Sequence, residues 1–273
     1  MVVTRWEDAV VDELLALAVR VARAAGRELL YRYGGELDVV LKSSATDPVS
    51  DADKASEQLL RRMIGEARPD DGMLGEEGTD ETGTSGLTWV FDPLDGTVNY
   101  LYQLNNFSVS VAVDDADGAL VGVVLDPVRD MLFTAVRGRG AWRNGQRLRI
   151  AAAVPAAHAL LGTGFGYDPA RRARQGALIA RVLPRVRDIR RIGSAALDLC
   201  MVASGSLNAY YEEGVNRWDV AAGGLVAAEA GAVVSTFRPL GVPTGALAAA
   251  PALHAELSAL LSEAAKGLDP AGE

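Results

Sequence analysis

The sequence contains almost no cysteine and almost no histidine. Cys200 is the single cysteine among 273 residues, so no internal disulfide can form, and its apolar surroundings predict a core position without thiol chemistry. His158 and His254 are the two histidines, and both lie in alanine-rich segments away from any acidic cluster. Histidine catalysis and histidine-based zinc sites therefore have little support. Any metal ion bound here has to use oxygen ligands.

Acidic residues outnumber basic ones, 36 to 27. The formal net charge is −9 and the pI is about 4.9, so we expect no direct binding to nucleic acid or to an anionic membrane. The first residues lack the uninterrupted apolar core of a signal peptide, and Glu229 and three glycines interrupt the most membrane-like stretch, 220–237. With the lone cysteine, these absences predict a cytoplasmic protein without a membrane span.

Helical periodicity dominates the first part of the chain. From about residue 7 to residue 33, apolar residues recur at helical spacing until Gly34-Gly35 ends the pattern, which predicts a long amphipathic helix. A polar, serine-rich segment at 42–48 is typical of a surface loop, and a second helical pattern runs from about 51 to 65. Residues 77–86 have almost no apolar content and predict a flexible excursion without chemistry.

The hydrophobic period changes to two after this excursion. Alternating apolar residues at 107–113, two later apolar runs and an Asn144-Gly145 pair typical of a type I′ turn predict an antiparallel meander. Beyond residue 160, a glycine-rich stretch at 162–166 is followed by helical patterns at about 169–183, 194–205 and 218–231, which indicate a mixed α/β lobe. A boundary near residue 150 would divide the chain into lobes 1–150 and 151–273.

The densest chemical signal is the segment Asp-Pro-Leu-Asp-Gly-Thr at the end of an apolar strand pattern. Its proline restricts the backbone, so the carboxylates of Asp92 and Asp95 and the carbonyl of Leu94 can converge as three hard oxygen ligands. The glycine allows a tight turn, after which the amides of Gly96 and Thr97 can face an anion. The alternative is an acid-rich turn that only terminates a strand.

Four further acidic or basic candidates carry little signal by themselves. Glu76 is one of two adjacent glutamates, which usually face solvent. Asp219 begins a helical pattern, where the helix dipole favours an acid without any function. Lys42 in a polar loop and Asp53 in the first turn of a helix are ordinary surface features when each is taken alone.

The second half of the chain holds another set of ambiguous candidates. Ser194 is a plausible N-cap, and the first amides of its helix would point outward, within reach of a substrate. Glu212 and Glu213, between two tyrosines and a glycine, are typical of solvated turn residues. Arg190 and Arg191 either provide a basic pocket for a second phosphate or are solvated.

Taken together, three motifs resemble the signature set of the inositol monophosphatase family. They are Gly-Glu-Glu at 75–77, Asp-Pro-Leu-Asp-Gly-Thr at 92–97 and Trp-Asp-Val-Ala-Ala-Gly at 218–223. The resemblance spans nearly the whole chain and extends to Lys42-Ser43-Ser44 and Gly193-Ser194-Ala195. It implies the family's α+β fold, a layered αβαβα sandwich of the inositol monophosphatase and fructose-1,6-bisphosphatase type.

The resemblance also implies two or three Mg²⁺ ions in each active site. One ion would be bound by Glu76, Asp92 and the Leu94 carbonyl, and a second by Asp92, Asp95 and Asp219, with Asp92 bridging the two. The physical argument agrees, because so many carboxylates would repel a phosphate unless divalent ions reversed the local field. Metal is therefore expected to be obligatory.

Roles in catalysis and substrate binding follow from the same resemblance. Thr97 and Asp53, with Glu76, would position and activate the attacking water, and Lys42 would lie in a mobile active-site loop. Thr97 has no histidine or lysine base near it in the sequence, so orienting water fits better than nucleophilic attack. The residues implied to contact substrate are Asp95, Gly96, Thr97, Ser194, Ala195, Glu212 and Asp219.

The implied activity is hydrolysis of a small polyol phosphate. Inositol 1-phosphate is the leading substrate, and Li⁺ is expected to inhibit. Fructose 1,6-bisphosphate, histidinol phosphate and adenosine 3′,5′-bisphosphate are alternatives within the family, and Arg217, which departs from the family pattern, bears on this preference. A regulatory binding partner of the transcription machinery is the non-enzymatic alternative. The resemblance also implies a homodimer, for which the apolar meander surface is the expected interface.

Overall fold

A computed structural model describes residues 6–35, 39–41 and 48–268, in which helices alternate with two large sheets. The helices are α1 (Asp8–Arg32), α2 (Asp51–Ala67), α3 (Thr97–Leu101), α4 (Pro169–Val182), α5 (Ala195–Ala203), α6 (Arg217–Glu229) and α7 (Pro251–Ala265). The strands are β1 (Val39–Leu41), β2 (Pro48–Ser50), β3 (Gly72–Gly75), β4 (Thr88–Asp95), β5 (Ser108–Asp115), β6 (Gly118–Asp126), β7 (Met131–Val136), β8 (Gly140–Arg143), β9 (Gln146–Arg147), β10 (Leu160–Thr163), β11 (Asp188–Arg190), β12 (Ala209–Glu213), β13 (Val233–Thr236) and β14 (Gly245–Ala249).

Helices α1 and α2 form the first outer layer. The apolar residues of α1 that recur at helical spacing, including Leu14, Val21 and Leu29, are buried, which confirms the predicted amphipathic helix. A capping box between Ser50 and Asp53 begins α2, so the second predicted helix also has a defined start. Both helices bury their apolar faces against β4, β5 and β6.

The second layer is a seven-stranded sheet in the order β3-β4-β5-β6-β7-β8-β9. Strand β3 runs parallel to β4, and each later pair is antiparallel, which confirms the predicted meander. Asn144 and Gly145 connect β8 to β9 with φ values of 47° and 78°. These positive angles at both central positions are what a type I′ turn requires.

Helices α5 and α6 form the middle layer, and small residues allow them to lie close to their neighbours. A Cβ added at Gly122 of β6 would stand 2.9 Å from the carbonyl oxygen of Ala222, and one at Gly223 would stand 3.0 Å from that of Ala196. The alanine and glycine content of α6 therefore serves close packing between layers. Cys200 of α5 is fully buried, as predicted.

Both faces of the meander are covered within the chain. Phe107 and Val109 lie in the core under α1 and α2, whereas Ala112 and Val124 lie in the core against α5 and α6. The expectation that the apolar meander surface forms a dimer interface is therefore wrong, because helices of the same chain already bury that surface.

The fourth layer is a mixed five-stranded sheet in the order β11-β10-β12-β14-β13. Strand β10 runs parallel to β11 and β12, and β14 runs antiparallel to β12 and β13. Helices α4 and α7 cover its outer face and complete the fifth layer, and α7 is an addition to the predicted elements. The fold is thus the expected α+β sandwich with layers in the order αβαβα.

The polar segment 77–86 is attached to the sheet edge instead of extending freely from it. Glu81 and Met73 exchange two backbone hydrogen bonds of 2.9 and 2.8 Å. Gly83 approaches β3 so closely that a Cβ there would stand 2.2 Å from the amide nitrogen of Gly72. Backbone pairing and a close glycine contact therefore hold a segment whose composition predicts a flexible excursion.

The two expected lobes share the middle helical layer. We propose a division near residue 150, because β9 ends at Arg147 and the five-stranded sheet begins with β10 at Leu160. Helices α5 and α6 follow this boundary in sequence but pack on both sheets. Among the helices of residues 6–35 and 48–268, none has both the length and the apolarity needed to cross a bilayer.

Candidate active site

A cavity of about 720 Å³ lies where the carboxyl ends of β4 and β12 meet the amino ends of α5 and α6. Asp53 and Ser194 support its lining through hydrogen bonds, and Lys42 falls outside the described residues. The remaining residues selected from the sequence line the cavity, namely Glu76, Asp92, Leu94, Asp95, Gly96, Thr97, Ala195, Glu212 and Asp219.

The end of β4 brings two acids into the cavity because its pairing with β5 is interrupted between Asp92 and Asp95. Oδ1 of Asp92 accepts a hydrogen bond of 2.9 Å from the amide of Leu94, which closes the turn. Gly96 follows with φ of 99°, and a Cβ there would stand 2.9 Å from the carbonyl oxygen of Asn106. The predicted tight turn is confirmed, and both its angle and its crowding require glycine.

Thr97 and Asp53 form the pair that the resemblance implies. The hydroxyl of Thr97 lies 2.9 Å from Oδ1 of Asp53 and 3.1 Å from the carbonyl oxygen of Leu94, and it can donate to either acceptor. Oδ2 of Asp53 accepts from the hydroxyl and the amide of Ser50 at 2.5 and 2.9 Å. Asp53 is fully buried, so the capping box of α2 also fixes the acid behind Thr97.

Asp95 is held by the amino end of α5. Its carboxylate accepts hydrogen bonds from the hydroxyl of Ser194 at 2.6 Å and from the amides of Ala195 and Ala196 at 3.2 and 2.8 Å. Ser194 also accepts from the amide of Leu197, which confirms it as the N-cap. The expectation that these amides point outward to a substrate is corrected, because the positive end of the helix is occupied by Asp95.

Asp219 and Glu212 approach the cavity from its other side. Oδ2 of Asp219 accepts from the amide of Asn216 at 2.5 Å, at the start of α6. Oε2 of Glu212 accepts from the hydroxyl of Tyr210 at 2.9 Å. A Cβ at Gly164 would stand 2.0 Å from that same carboxylate oxygen. The glycine-rich stretch noted in the sequence therefore provides the room that Glu212 occupies.

Two acids near the cavity were wrongly interpreted or missed from the sequence. Glu213 is not a solvated turn residue; it is 1% exposed and accepts hydrogen bonds from Tyr211, Leu240 and Val242. Asp198, within the apolar pattern of α5, is also 1% exposed, and its Oδ1 has no hydrogen-bond partner among the described residues. The available signal was a glycine on a strand beside each acid, because a Cβ at Gly162 would stand 2.8 Å from Asp198 and one at Gly245 would stand 3.0 Å from Glu213.

Burial and mutual repulsion dominate the electrostatics of the cavity. The pKa of Asp92 is raised well above its ordinary value, first by burial and then by the charges of Glu76, Asp95 and Asp219. The pKa of Asp219 is raised by burial and then by Asp95 and Glu76. Burial raises the pKa of Asp95 to about 6, although the hydrogen bonds from α5 oppose the increase. Four carboxyl groups thus create a strongly negative site that a cation would stabilise.

The profile of the inositol monophosphatase family matches residues 10–266. The chain belongs to the inositol monophosphatase family. An inositol-1-monophosphatase, SuhB, of Mycobacterium tuberculosis is 45% identical over 275 residues, covering 96% of this chain and 94% of that protein. A Nus factor SuhB of Pasteurella multocida is 43% identical, covering 83% and 86%. The structure of extragenic suppressor protein suhB from Bartonella henselae superposes with a TM-score of 0.84 at 34% identity, covering 93% and 99%.

The four mutually repelling acids of this family member are a suitable donor set for divalent metal ions, which inositol monophosphatases use. Carboxylate oxygens are the ligands that Mg²⁺ prefers. Within the described residues, Oδ2 of Asp92 and Oδ1 of Asp219 accept no hydrogen bond, so both can coordinate an ion. Among the described residues, no group of three or more Asp, Glu, His or Cys side chains is already arranged to hold a metal ion. Binding therefore requires a side-chain adjustment, which relief of repulsion would favour.

Arginine side chains supply the positive charge at the cavity. Arg191, one of the pair singled out in the sequence, lines it, whereas Arg190 is exposed and pairs with an aspartate of its own strand. Arg171, in the first turn of α4, also lines the cavity and was not selected from the sequence. Arg217 donates two hydrogen bonds to Asp114 and is not part of the lining.

The stability of the metal-free protein is expected to fall as the pH rises. Burial raises the pKa of Asp95 from 3.8 to about 6 and that of Glu212 from 4.5 to about 7. Because the folded state holds these protons more tightly, their stabilising effect is complete below the ordinary pKa values and is lost as the pH passes about 6 and 7.

Thermal unfolding in EDTA, measured between pH 5.5 and pH 8, should show a Tm lower by about 5–10 °C at the alkaline end. A bound divalent ion should remove only the part of this slope that comes from Asp95, because Glu212 is not among the acids expected to hold a metal. A metal-free Tm that stays constant or rises over this range would contradict the electrostatic description of the site.

Proposed function

We propose that this chain is a Mg²⁺-dependent phosphomonoester hydrolase that releases phosphate from inositol 1-phosphate by metal-activated water. The observation that carries the proposal is one cavity that joins four mutually repelling acids to the Thr97–Asp53 pair. The 45% identity to a relative named inositol-1-monophosphatase supports the choice of substrate. A cytoplasmic location, suggested by the single cysteine, and a homodimer, implied by the family resemblance, are part of the proposal.

Residues directly after β3, at the end of β4 and at the head of α6 would hold the metal. When bound, Mg²⁺ offsets the negative field of the cavity, lowers the pKa of water and stabilises the departing oxygen. Without a cation, the buried carboxylates would repel the phosphate group. The ligands for the two or three ions are Glu76, Asp92, the Leu94 carbonyl, Asp95 and Asp219.

Thr97 is proposed to orient the attacking water, and Asp53 to orient Thr97. When the hydroxyl of Thr97 donates a hydrogen bond to Asp53, the lone pairs of its oxygen remain free to accept a hydrogen bond from water. In the described part of the chain, neither histidine nor lysine forms a hydrogen bond with Thr97, and the group that accepts from its hydroxyl is the weakly basic carboxylate of Asp53, so orienting water fits better than nucleophilic attack. Glu76 would share in water activation as a metal ligand.

The substrate is proposed to lie between the turn after β4 and the carboxylate of Glu212. The amides of Gly96 and Thr97 would bind phosphate oxygens. Glu212 faces the cavity while Tyr210 fixes one of its oxygens, so it is suited to accept hydrogen bonds from polyol hydroxyls. Asp95, Ala195 and Asp219, which line the cavity, would complete the polyol contacts, and Ser194 would support them through its hydrogen bond to Asp95.

Phosphate release from a substrate panel tests this function. The panel contains inositol 1-phosphate, fructose 1,6-bisphosphate, histidinol phosphate and adenosine 3′,5′-bisphosphate, each with Mg²⁺, with EDTA and with added Li⁺. We expect release that depends on Mg²⁺, is inhibited by Li⁺ and is fastest with inositol 1-phosphate. If another substrate of the panel is hydrolysed fastest, the assignment of the site would stand and the assignment of the substrate would change.

A bisphosphate substrate is the second candidate, and the two arginines of the cavity favour it. Arg191→Gln and Arg171→Gln each remove a cation that a second phosphate would need. If bisphosphates are substrates, these changes should raise KM for fructose 1,6-bisphosphate by about 10-fold, or about 1.4 kcal/mol, and leave KM for inositol 1-phosphate nearly unchanged. Equal effects on both substrates would contradict a second-phosphate subsite.

A regulatory role with the transcription machinery is the non-enzymatic candidate, because the Pasteurella multocida relative is named Nus factor SuhB. Negligible phosphatase activity on the whole panel, together with tight binding to a transcription complex, would favour that role. The net charge of −9 argues that any such binding uses protein surfaces and not nucleic acid.

A further inference from the structure

The turn that carries Glu76 lies at the edge of the seven-stranded sheet. It directly follows β3, the edge strand, which pairs with β4 along one side and, among the described residues, has only the isolated Met73–Glu81 bridge on the other. An acid on such a turn has no strand ladder of its own to fix it. Other contacts therefore have to set the position of the Glu76 backbone relative to Asp92 on β4.

A buried carboxylate of α2 supplies one of these contacts. Glu57 is 3% exposed, and its Oε2 accepts a hydrogen bond of 2.7 Å from the amide of Glu77. This bond holds the peptide unit that joins Glu76 to Glu77. The other carboxylate oxygen of Glu57, Oε1, accepts a hydrogen bond of 2.7 Å from Nε of Arg61, which lies one helical turn later. A carboxylate this deeply buried needs both partners.

Arg61 extends the contact to the far side of the turn. Its Nη1 donates to Glu81 at 3.0 Å, and its guanidinium lies over the ring of Phe91, 5.4 Å from the centroid. Glu81 is itself paired through its backbone with Met73 of β3. The Glu57–Arg61 pair therefore connects the start of the 76–81 segment to its end, across a residue of β4.

Two glycines make room for this pair. A Cβ at Gly75 would stand 2.6 Å from Oε1 of Glu57, and one at Gly78 would stand 2.5 Å from both that oxygen and Nη2 of Arg61. The Gly-Glu-Glu-Gly sequence is thus shaped around the two side chains of α2. Such close fitting on both sides of Glu76 restricts where its backbone can go.

We propose that Glu57 and Arg61 are positioning residues that hold the backbone of Glu76 for metal binding. The inference rests on the proposed function, because it takes Glu76 as a metal ligand. Neither residue lines the cavity, so each acts through the turn and not by touching substrate. Losing the pair should loosen the turn and weaken metal binding more than it lowers turnover at saturating metal.

The test uses the full-length protein with four variants. Glu57→Ala removes both contacts, Glu57→Gln keeps an oxygen for the Glu77 amide, and Arg61→Lys weakens the connection to Glu81. Glu28→Gln is the matched control, because Arg32 and Glu28 also form an Nε to Oε1 contact of 2.7 Å at the same spacing, away from the cavity. Amide hydrogen exchange of 73–81 is measured without metal, and Mg²⁺ binding is measured by calorimetry.

For Glu57→Ala we expect exchange at the Glu77 amide to rise at least about 10-fold and the Mg²⁺ dissociation constant to rise about 10–100-fold. The half-saturating Mg²⁺ concentration for turnover should rise equally, with kcat at saturation within about 3-fold. Glu57→Gln should restore much of the affinity, Arg61→Lys should show a smaller loss, and Glu28→Gln should match wild type.

Faster exchange with unchanged Mg²⁺ affinity would overturn the proposal and leave the pair a purely structural contact. If Glu57→Ala does not fold, Glu57→Gln and Arg61→Lys decide, since unchanged affinity in both would overturn it equally. Failure of the proposed function is distinguished by the wild-type protein, which would then bind no Mg²⁺ and release no phosphate. Wild-type binding and activity with unchanged variants would refute the positioning role alone.

Discussion

Replacing Asp92 by asparagine is expected to lower kcat for phosphate release by at least about 1,000-fold. Asp92 is 2% exposed, lies at the end of β4 and is repelled by the carboxylates of Glu76, Asp95 and Asp219. An amide is a weaker ligand than a carboxylate and carries no charge, so the proposed bridging position would be lost. Steady-state phosphate release over a range of Mg²⁺ concentrations is the measurement.

The same substitution should raise the stability of the metal-free protein. Burial and three neighbouring carboxylates penalise the charged form of Asp92, so removing its charge relieves repulsion and should raise Tm in EDTA by about 3–6 °C. Asp71→Asn is the contrasting control, because the hydrogen bonds from Arg68, Ser85 and Trp89 outweigh burial and lower the pKa of Asp71. That variant should lose stability and keep its turnover. Wild-type turnover in Asp92→Asn would contradict the metal assignment.

Replacing Glu213 by alanine should have the largest effect on stability. Glu213 lies behind the cavity at the end of β12 and accepts hydrogen bonds from the Tyr211 hydroxyl at 2.7 Å and from the amides of Leu240 and Val242 at 2.8 and 3.1 Å. Its removal leaves three buried donors unpaired. We expect the free energy of unfolding to fall by about 3–5 kcal/mol and Tm to fall by about 10 °C.

Glu213→Gln is the matched variant for this prediction. Its amide keeps one acceptor oxygen in the same volume, so its Tm should lie between those of wild type and Glu213→Ala. Val242 also lines the cavity, and loosening its loop should raise KM in the alanine variant. A Tm of Glu213→Ala within about 2 °C of wild type would show that the Glu213 hydrogen bonds contribute little to stability.

Periodicity and turn chemistry explain why much of the fold was predictable. Helix α1 carries its apolar residues at helical spacing, and the Asn144-Gly145 turn meets a backbone requirement that few other residue pairs satisfy. These signals depend only on residues that are close in the sequence, so they can be read without knowing the tertiary contacts. Helix α7 was not predicted, although Leu253, Leu257 and Leu261 recur at helical spacing and are buried.

The candidate site was predictable only where several weak signals combined. Glu76, Asp53 and Asp219 are each ordinary when considered alone, and only the motif resemblance joined them to the Asp92–Thr97 segment. The burial of Glu213 and Asp198 depends instead on contacts from distant parts of the chain, which a local window cannot contain. For Glu213 these are the amides of Leu240 and Val242, 27 and 29 residues away.

Contacts over long sequence distances also explain why the expectation for the amino end of α5 had to be corrected. An N-cap in the sequence predicts that the first amides of the helix are free to bind a ligand. In the structure the carboxylate of Asp95, 99 residues from Ser194 in the sequence, occupies this helix end and accepts a hydrogen bond from the Ser194 hydroxyl. The consequence is functional as well as structural. The amino end of α5 holds one proposed metal ligand, so α5 and β4 act as one unit in shaping the cavity.

We propose that the acids of this cavity form a phosphatase site that works only with bound metal. The most direct measurement is phosphate release from inositol 1-phosphate by chelator-treated protein as Mg²⁺ is added back. Release should be undetectable before addition, should rise with Mg²⁺ to a plateau, and should remain undetectable in Asp92→Asn at each concentration. Release that is equally fast with and without Mg²⁺ would contradict the claim.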